Sequence, residues 1–143
     1  MIGFSFILVN AILAATSLAS PLEKRIDHNG IATFYEQNGG TGSCGQVHKE
    51  SDRIIALSPS WQGSGYPPKY CGRKIEITNT GGGQNNNGQG KVIQATVADT
   101  CPGCDSNHLD LSHGAFQALT GGALDPPGQF NIRWHFCNVN GQC

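Results

Sequence analysis

All six cysteines of this 143-residue chain lie in its last 100 residues, and they constrain the fold more than any other feature. They are Cys44, Cys71, Cys101, Cys104, Cys137 and Cys143. An even number of cysteines in a short secreted chain indicates a disulfide framework, in which each bridge contributes about 2–4 kcal/mol of stability. Six cysteines allow many pairings, and their spacing alone does not choose among them.

The N-terminal segment predicts a secreted, extracellular protein. Residues 4–19 are nearly all apolar or small and end in Ser17-Leu18-Ala19, which suits a signal peptidase that cuts after Ala19. A short polar stretch then ends in Lys24-Arg25, which resembles the kexin-type processing site of secreted fungal precursors. We therefore expect three parts: a signal peptide over 1–19, a pro-segment over 20–25 and one mature domain over 26–143.

The charge and the apolar pattern of the mature region argue against nucleic acid and membrane as partners. From Ile26 onward, seven basic residues oppose nine acidic residues, which gives a net charge of −2. Nothing in this balance attracts a polyanion, so we expect no nucleic acid as partner. No second apolar run follows the predicted signal, so we expect no membrane contact and a monomer in solution.

Short runs of alternating apolar and polar residues predict an all-β domain. The clearest strand is Phe130–Phe136, where Asn131, Arg133 and His135 alternate with large apolar residues, so one face packs inward. The same period predicts further strands at residues 30–35, 53–57, 74–78 and 93–97.

One short helix and two connecting segments complete the prediction. Ser112 is a suitable N-cap, residues 115, 116 and 119 supply an apolar face, and Gly121-Gly122 end the helix. The run from Asn79 to Gly90 is rich in Gly, Asn and Gln, so we expect a mobile hairpin loop there. Asp125-Pro126-Pro127-Gly128 predicts a rigid turn into the last strand.

Four segments, in this order, resemble one known family. They are Gly30-Ile31-Ala32-Thr33-Phe34-Tyr35, Gly42-Ser43-Cys44-Gly45, Val97-Ala98-Asp99-Thr100-Cys101-Pro102-Gly103-Cys104 and Leu109-Asp110-Leu111-Ser112. With Cys71-Gly72 and the closing strand, the match covers almost the whole mature region. It is similar to the double-psi β-barrel family of expansins, loosenins, barwin and RlpA-like proteins, and most similar to the single-domain loosenins and microbial papain-inhibitor-like proteins.

The resemblance implies both a fold and a set of disulfides. The implied fold is all-β, a six-stranded double-psi β-barrel with one short helix, stapled by disulfides. By analogy with barwin it pairs Cys44 with Cys71. Cys101–Cys104 and Cys137–Cys143 then remain as local pairs.

Asp99 and Asp110 are the main candidates for chemistry, because each is expected at a strand end between apolar neighbours, where burial raises the pKa of a carboxyl group. In the family, the residues that match them line a groove for an extended polysaccharide, flanked by those matching Thr33 and Tyr35. Asp110 also matches the general acid of related barrel-type endoglucanases. The alternative is structural: Asp110 accepts backbone hydrogen bonds before Ser112, and Asp99 braces a loop.

Hydrolysis needs a second carboxylate on the opposite side of the sugar. The related endoglucanases carry it just after their first strand, where Glu36 lies in this chain. Its register is one residue short of that pattern, and a one-residue slip in a strand turns the side chain to the other face. We therefore expect Glu36 to be a solvated loop residue and hydrolysis to be absent or feeble.

Aromatic residues in the Pro/Gly-rich segment 58–70 suit sugar binding, because the apolar faces of sugar rings pack on exposed aromatic rings. Trp61, Tyr66 and Tyr70 lie in this segment, which has no strand periodicity. The alternative for Trp61 is a residue that closes one end of the barrel. Trp134 alternates with polar residues and is expected in the core.

Cys101, Cys104, His108 and His113 have the spacing C-x2-C-x3-H-x4-H, which superficially suits a tetrahedral zinc site. Because secreted cysteines usually oxidise, we expect a disulfide and no metal or other cofactor. A redox role for C-P-G-C would need the βαβ pattern of thioredoxin-like proteins, which the sequence lacks. The remaining histidines are interpreted as surface residues without partners: His28, His48 and His135.

The sequence thus favours a non-hydrolytic, expansin- or loosenin-like protein that binds and loosens cell-wall polysaccharide such as cellulose, chitin or a related glucan. An inhibitor of an extracellular cysteine protease, or an effector, that uses the barrel as a scaffold is the alternative. A weak glycoside hydrolase is the third hypothesis.

Overall fold

The computed structural model describes residues 25–143. The predicted signal peptide and all of the predicted pro-segment except Arg25 lie outside the described residues. The described chain contains six strands and two helices. The strands are β1 (His28–Phe34), β2 (Ile54–Leu57), β3 (Lys74–Gly81), β4 (Val92–Thr100), β5 (Leu109–Leu111) and β6 (Phe130–Phe136). The helices are α1 (Pro59–Gln62) and α2 (His113–Thr120), and Gln84–Asn86 form a 3-10 turn.

The strands close into a barrel in the order β1-β5-β2-β4-β3-β6. Two pairs are parallel, β1 with β5 and β2 with β4, and the other four are antiparallel. The predicted all-β, six-stranded fold is confirmed. Within residues 25–143 neither helix has the length and apolar character needed to cross a membrane.

The barrel interior is filled by the inward-facing residues of the alternating strands. In β6, Phe130, Ile132 and Trp134 are fully buried, whereas Asn131 and Arg133 are exposed. The predicted core position of Trp134 is therefore confirmed. Fully burying an aliphatic or aromatic side chain of this size stabilises the fold by about 1.5–3 kcal/mol.

Helix α2 closes one side of the barrel as predicted. The Ser112 hydroxyl accepts a hydrogen bond from the backbone N–H of Ala115, and Gly121 ends the helix at φ 74°. Phe116 packs its ring edge-on against Phe34 and Phe130 at centroid distances of 5.2 and 4.9 Å. The cap thus fixes where the apolar face of α2 meets β1 and β6.

The hairpin that joins β3 to β4 is more hydrogen-bonded than its composition indicates. Strand β3 continues to Gly81, and Asn79 is buried. Asn79 Nδ2 donates to the carbonyls of Leu119 and Asn87, and its Oδ1 accepts from the N–H of Gly81. The prediction that the mobile loop begins at Asn79 is therefore wrong, because Asn79 is a buried residue of β3 that ties the hairpin to the end of α2.

The cysteines form three disulfides. These are Cys44–Cys71, Cys101–Cys104 and Cys137–Cys143, the pairs that the family resemblance implied. The first joins the loop after β1 to the loop before β3, across 27 residues of sequence. The other two close short local loops.

Candidate functional site

The β1–β5 pair brings three polar side chains together. Its parallel register places Thr33 opposite Asp110. The Thr33 hydroxyl donates to Asp110 Oδ1 at 2.8 Å and lies 2.7 Å from His108 Nε2. A hydroxyl carries one proton, so when Thr33 donates to ionised Asp110 its oxygen accepts a hydrogen bond from His108 Nε2–H. The result is a continuous hydrogen-bonded chain from His108 through Thr33 to Asp110.

The alternation of β5 explains why Asp110 faces away from the core. Leu109 and Leu111 are fully buried on either side of it, and Asp110 itself is half-buried. The expected strand-end position of Asp110 is wrong, because it is the central residue of a three-residue strand held between β1 and β2. Two anchored neighbours therefore fix the direction of the Asp110 side chain.

Burial raises the pKa of the Asp110 carboxyl above its usual value. The hydrogen bond from Thr33 and the proximity of His108 act in the opposite direction, and the charge of Asp99 adds to the effect of burial. Asp110 thus keeps its proton to a higher pH than a solvated aspartate. An ionised carboxylate accepts hydrogen bonds from sugar hydroxyls, and only the protonated form can also donate one.

Tyr35 follows β1 directly, and its N–H continues the β1–β5 pairing by donating to the carbonyl of Leu111 at 3.0 Å. Its Oη is buried, with no hydrogen-bond partner within residues 25–143. Burial, together with the carboxylates of Asp99, Asp110 and Glu50, raises the pKa of the Tyr35 phenol well above its usual value. The hydroxyl therefore remains protonated and able to donate to a ligand.

Asp99 lies near the end of β4 and joins two segments. Its Oδ1 accepts from the backbone N–H groups of Ser43 and Thr100, each at 2.8 Å. This carboxylate oxygen braces the loop that contains Ser43 against β4. Asp99 and Tyr35 also line a pocket of about 120 Å³ just beyond the end of β1. Glu36 is exposed at the rim of the same pocket, as expected for a loop residue.

The aromatic residues of segment 58–70 have different environments. Trp61 is partly buried, donates its indole N–H to the carbonyl of Ser106, and packs edge-on against Tyr70 and Phe136. These contacts match the alternative in which Trp61 closes one end of the barrel. Tyr66 is 81% exposed. Trp61 and Tyr70 line a second pocket, of about 230 Å³, near the start of β1.

Sequence reasoning missed His108 as a partner of Asp110. The two residues are separated by one position, and the period of a strand puts such residues on the same face. The spacing of His108 and Asp110 was therefore the feature of the sequence that could have shown that they lie close together. Cys101 and Cys104 are oxidised to a disulfide, and residues 25–143 contain no group of three or more His, Cys, Asp or Glu side chains placed to hold a metal ion.

The three histidines expected to lack partners all have them. His28 packs on Trp134 with ring centroids 4.5 Å apart, and burial lowers the pKa of its imidazole. His48 Nδ1 lies 3.4 Å from Asp52. His135 lies between Asp27 at 3.4 Å and Glu76 at 3.8 Å. The expectation is wrong for His28 and His135 because their partners come from distant parts of the sequence, and for His48 because its partner lies four residues further along the chain.

The relatives found by comparison with known proteins include two of different lengths. The papain inhibitor of Streptomyces mobaraensis is 30% identical over 137 residues, which cover 90% of this chain and 87% of the inhibitor. The Allergen Asp f 7 homolog of Arthroderma benhamiae is 30% identical over 121 residues, covering 75% of this chain and 38% of that protein. This chain thus spans well under half of the second relative. No family model matches the sequence.

Two solved structures resemble the barrel. The Streptomyces papain inhibitor has a TM-score of 0.60 and 26% identity, and the match covers 81% of this chain and 96% of the inhibitor. A mutant expansin of Clavibacter michiganensis in complex with cellohexaose has a TM-score of 0.61 and 27% identity. That match covers 79% of this chain and 51% of the expansin.

Proposed function

The chain belongs to the double-psi β-barrel family that includes the papain inhibitor of Streptomyces mobaraensis and the expansins, and on this premise we propose that it is a secreted, non-hydrolytic protein that binds and loosens cell-wall polysaccharide. The observation that carries the proposal is the hydrogen-bonded chain His108–Thr33–Asp110 beside the unpartnered Tyr35 hydroxyl. Cellulose, chitin or a related glucan is the proposed partner. The solved expansin bound to cellohexaose supports this choice of ligand.

The proposed binding mode uses groups that are already positioned. Asp110 is fixed by two buried leucines and by Thr33, so little conformational freedom is lost when a sugar binds. The Tyr35 hydroxyl has no partner among the described residues but is buried, so a sugar could gain this donor only after neighbouring side chains move. Competition of these groups for sugar hydroxyls would weaken the hydrogen bonds between neighbouring polysaccharide chains.

Hydrolysis is not part of the proposal, because the site offers no free base of defined position. Asp99 uses one oxygen to accept two backbone hydrogen bonds, and Glu36 is exposed on a loop. An inverting hydrolase needs its second carboxylate positioned so that one water fits between it and the sugar. Reducing-sugar release from a soluble glucan tests this step. Release that the Asp110→Asn substitution abolishes would assign the chain to the glycoside hydrolases instead.

Binding is tested by sedimentation with insoluble cellulose, chitin and β-glucan, using the wild type, Asp110→Asn and a control. The control is Asp125→Asn, which removes an exposed carboxylate that makes no side-chain hydrogen bond within the described chain. We expect Asp110→Asn to lower the affinity about tenfold, the effect of losing one charged hydrogen bond. Asp125→Asn should leave it unchanged. Equal binding and equal wall loosening by the wild type and Asp110→Asn would contradict the proposal.

Secretion and processing are part of the same proposal. The predicted signal peptide and the Lys24-Arg25 pair support a mature protein that begins at Ile26. N-terminal sequencing of protein collected from the medium of a secreting host tests this. Intact chain retained inside the cells would contradict it.

A second candidate function is inhibition of an extracellular cysteine protease. The match to the papain inhibitor of Streptomyces mobaraensis over nearly the full length of both chains favours it. The exposed Tyr66, in the loop between α1 and β3, is a suitable contact for a protein partner. Titration of papain with the wild type and Tyr66→Ala tests this function. Tight inhibition without polysaccharide binding would replace the first proposal by the second.

A further inference from the structure

Two adjoining concavities near the start of β1 share Tyr70 and Arg73. The first, of about 230 Å³, is also lined by His28, Trp61 and Phe136, and by Arg25, which the proposed processing would remove. The second, of about 340 Å³, is also lined by Lys69 and Val139. No carboxylate from residues 25–143 lines either of them. We call this surface, defined by Trp61, Lys69, Tyr70, Arg73 and Phe136, the arginine–aromatic surface.

Arg73 is a partly buried cation without a counterion. Its Nε donates to the carbonyl of Cys137 at 2.7 Å, and its guanidinium lies over the Phe136 ring with Cζ 5.7 Å from the centroid. Every ion pair in the described part of the chain involves a histidine, so no carboxylate neutralises Arg73 there. Its terminal nitrogens are held in a fixed direction and are free to bind an anion, for which the planar guanidinium offers a bidentate fork.

The surface also differs in charge from the pocket beyond the end of β1, which Asp99 lines and Asp110 does not. The pocket beyond the end of β1 is lined by Glu36 and Asp99 and by no lysine or arginine. The arginine–aromatic surface carries Lys69 and Arg73 instead. The net charge of −2 therefore conceals a local excess of positive charge, and the expectation that nothing attracts a polyanion does not extend to this surface.

The walls of the first concavity suit a sugar ring. Tyr70 stacks on Phe136 with centroids 4.5 Å apart, and Trp61 packs edge-on against both. Aromatic side chains of this kind pack against the apolar C–H faces of a pyranose. The volume of about 230 Å³ is below the ~300–1,000 Å³ of sites for drug-sized ligands. It therefore suits a single ring rather than a larger ligand.

We propose that the arginine–aromatic surface binds a hexuronate unit of an acidic polysaccharide. The sugar carboxylate would pair with the terminal nitrogens of Arg73, and its ring would pack on the aromatic wall. Lys69, whose Nζ lies 5.4 Å from the Tyr70 ring centroid, would meet the carboxylate of the next unit. The inference rests on the proposed function only in taking a polysaccharide as the ligand, because none of these residues belongs to the Asp110 site.

The test measures retention of the purified protein on polygalacturonate by affinity electrophoresis. Fully methyl-esterified polygalacturonate has the same backbone without charge, and polyglutamate has the charge without sugar. We expect binding to polygalacturonate to exceed binding to either comparison polymer about tenfold and to weaken with added salt. Equal binding to polyglutamate, or undiminished binding to the esterified polymer, would overturn the proposal.

The variants are Arg73→Gln and Lys69→Ala, with Arg133→Gln as the matched control. Arg133 is exposed on the outer face of β6 and lines neither concavity. We expect Arg73→Gln to lose polygalacturonate binding about tenfold and Lys69→Ala about threefold, and Arg133→Gln to bind like the wild type. Equal losses in Arg73→Gln and Arg133→Gln would overturn the proposal. Lys69→Ala removes only an exposed side chain, so it reports on the surface even if Arg73→Gln unfolds.

Asp110→Asn separates this inference from the proposed function. We expect it to weaken binding to cellulose and to leave binding to polygalacturonate unchanged. If only the cellulose experiment fails, the proposed function is contradicted. If only the polygalacturonate experiment fails, the inference about the arginine–aromatic surface is contradicted. A common loss of both in Asp110→Asn would contradict the separation of the two sites.

Discussion

Thr33 donates a 2.8 Å hydrogen bond to Asp110 from the neighbouring parallel strand, and this bond opposes the effect of burial on the Asp110 carboxyl. The Thr33 hydroxyl also bridges Asp110 to His108. The Thr33 hydroxyl group therefore helps to orient the Asp110 carboxylate and lowers its pKa against the effect of burial. The first two predictions concern this acidity.

Replacing Thr33 by valine keeps the shape of the side chain and removes its hydroxyl. The pKa of the Asp110 carboxyl should then rise further, because burial remains and the compensating donor is lost. The variant should also be less stable by about 1–3 kcal/mol, since Asp110 and His108 lose a partner. Carboxyl-carbon NMR titration measures the pKa. Thr33→Ser keeps the hydroxyl and should resemble the wild type, and an unchanged pKa in Thr33→Val would contradict the role of this bond.

Asp110 should make stability depend on pH in a defined direction. Burial raises the pKa of its carboxyl in the folded state above that of a solvated aspartate, so the folded chain binds this proton more tightly than the unfolded chain. The resulting stabilisation is complete below the unfolded pKa and is lost as pH rises through the folded pKa. Asp110→Asn has no proton to lose, so its stability relative to the wild type should increase across this window.

Urea unfolding of both proteins at about pH 3, 5 and 7 measures this difference. Asp125→Asn, at an exposed position, is the control and should differ from the wild type by a constant amount. A constant difference for Asp110→Asn would show that its carboxyl is as well solvated in the folded as in the unfolded chain.

Gly30 should be required for the position of His108. A Cβ at Gly30 would fall inside the van der Waals radius of the Asn107 carbonyl, which also accepts the indole N–H of Trp134. Gly30→Ala should therefore displace the segment before β5, cost about 1–3 kcal/mol and weaken polysaccharide binding. Thermal unfolding and sedimentation measure the two effects. Gly103→Ala is the control, because nothing lies near a Cβ at that position.

Asn79 should hold the hairpin between β3 and β4 in place. Replacing it by alanine leaves the carbonyls of Leu119 and Asn87 and the N–H of Gly81 without their side-chain partner. We expect a loss of about 2–3 kcal/mol and faster hydrogen exchange of the hairpin amides. Thr80→Ala changes an exposed neighbour and should have little effect on either. Equal exchange rates in wild type and Asn79→Ala would contradict this role.

Local patterns predicted most of the barrel. The period of two in β6 and the capping residues of α2 need only neighbouring residues to be recognised, and the structure has both. Strand β5 was not predicted, because three residues are too few to show a period. It is a strand because β1 and β2 flank it on both sides.

The site was less predictable than the fold, because its geometry depends on register between distant strands. Family resemblance named Thr33, Tyr35 and Asp110, and sequence spacing could have placed His108 beside Asp110, but the hydrogen bond of His108 to Thr33 depends on the parallel pairing of β1 with β5. The surface at Arg73 was missed for a related reason. A net charge sums over the whole chain and carries no information about where each charge lies.

Thr33 and Asp110 are separated by 77 positions in the sequence. No fragment that lacks either strand can therefore assemble the proposed groove, and a chain still folding as it leaves the ribosome cannot expose it before β5 has been made. The proposed groove therefore forms only when β1 and β5 have paired. A measurement of polysaccharide binding would therefore detect only molecules in which these two strands have folded together.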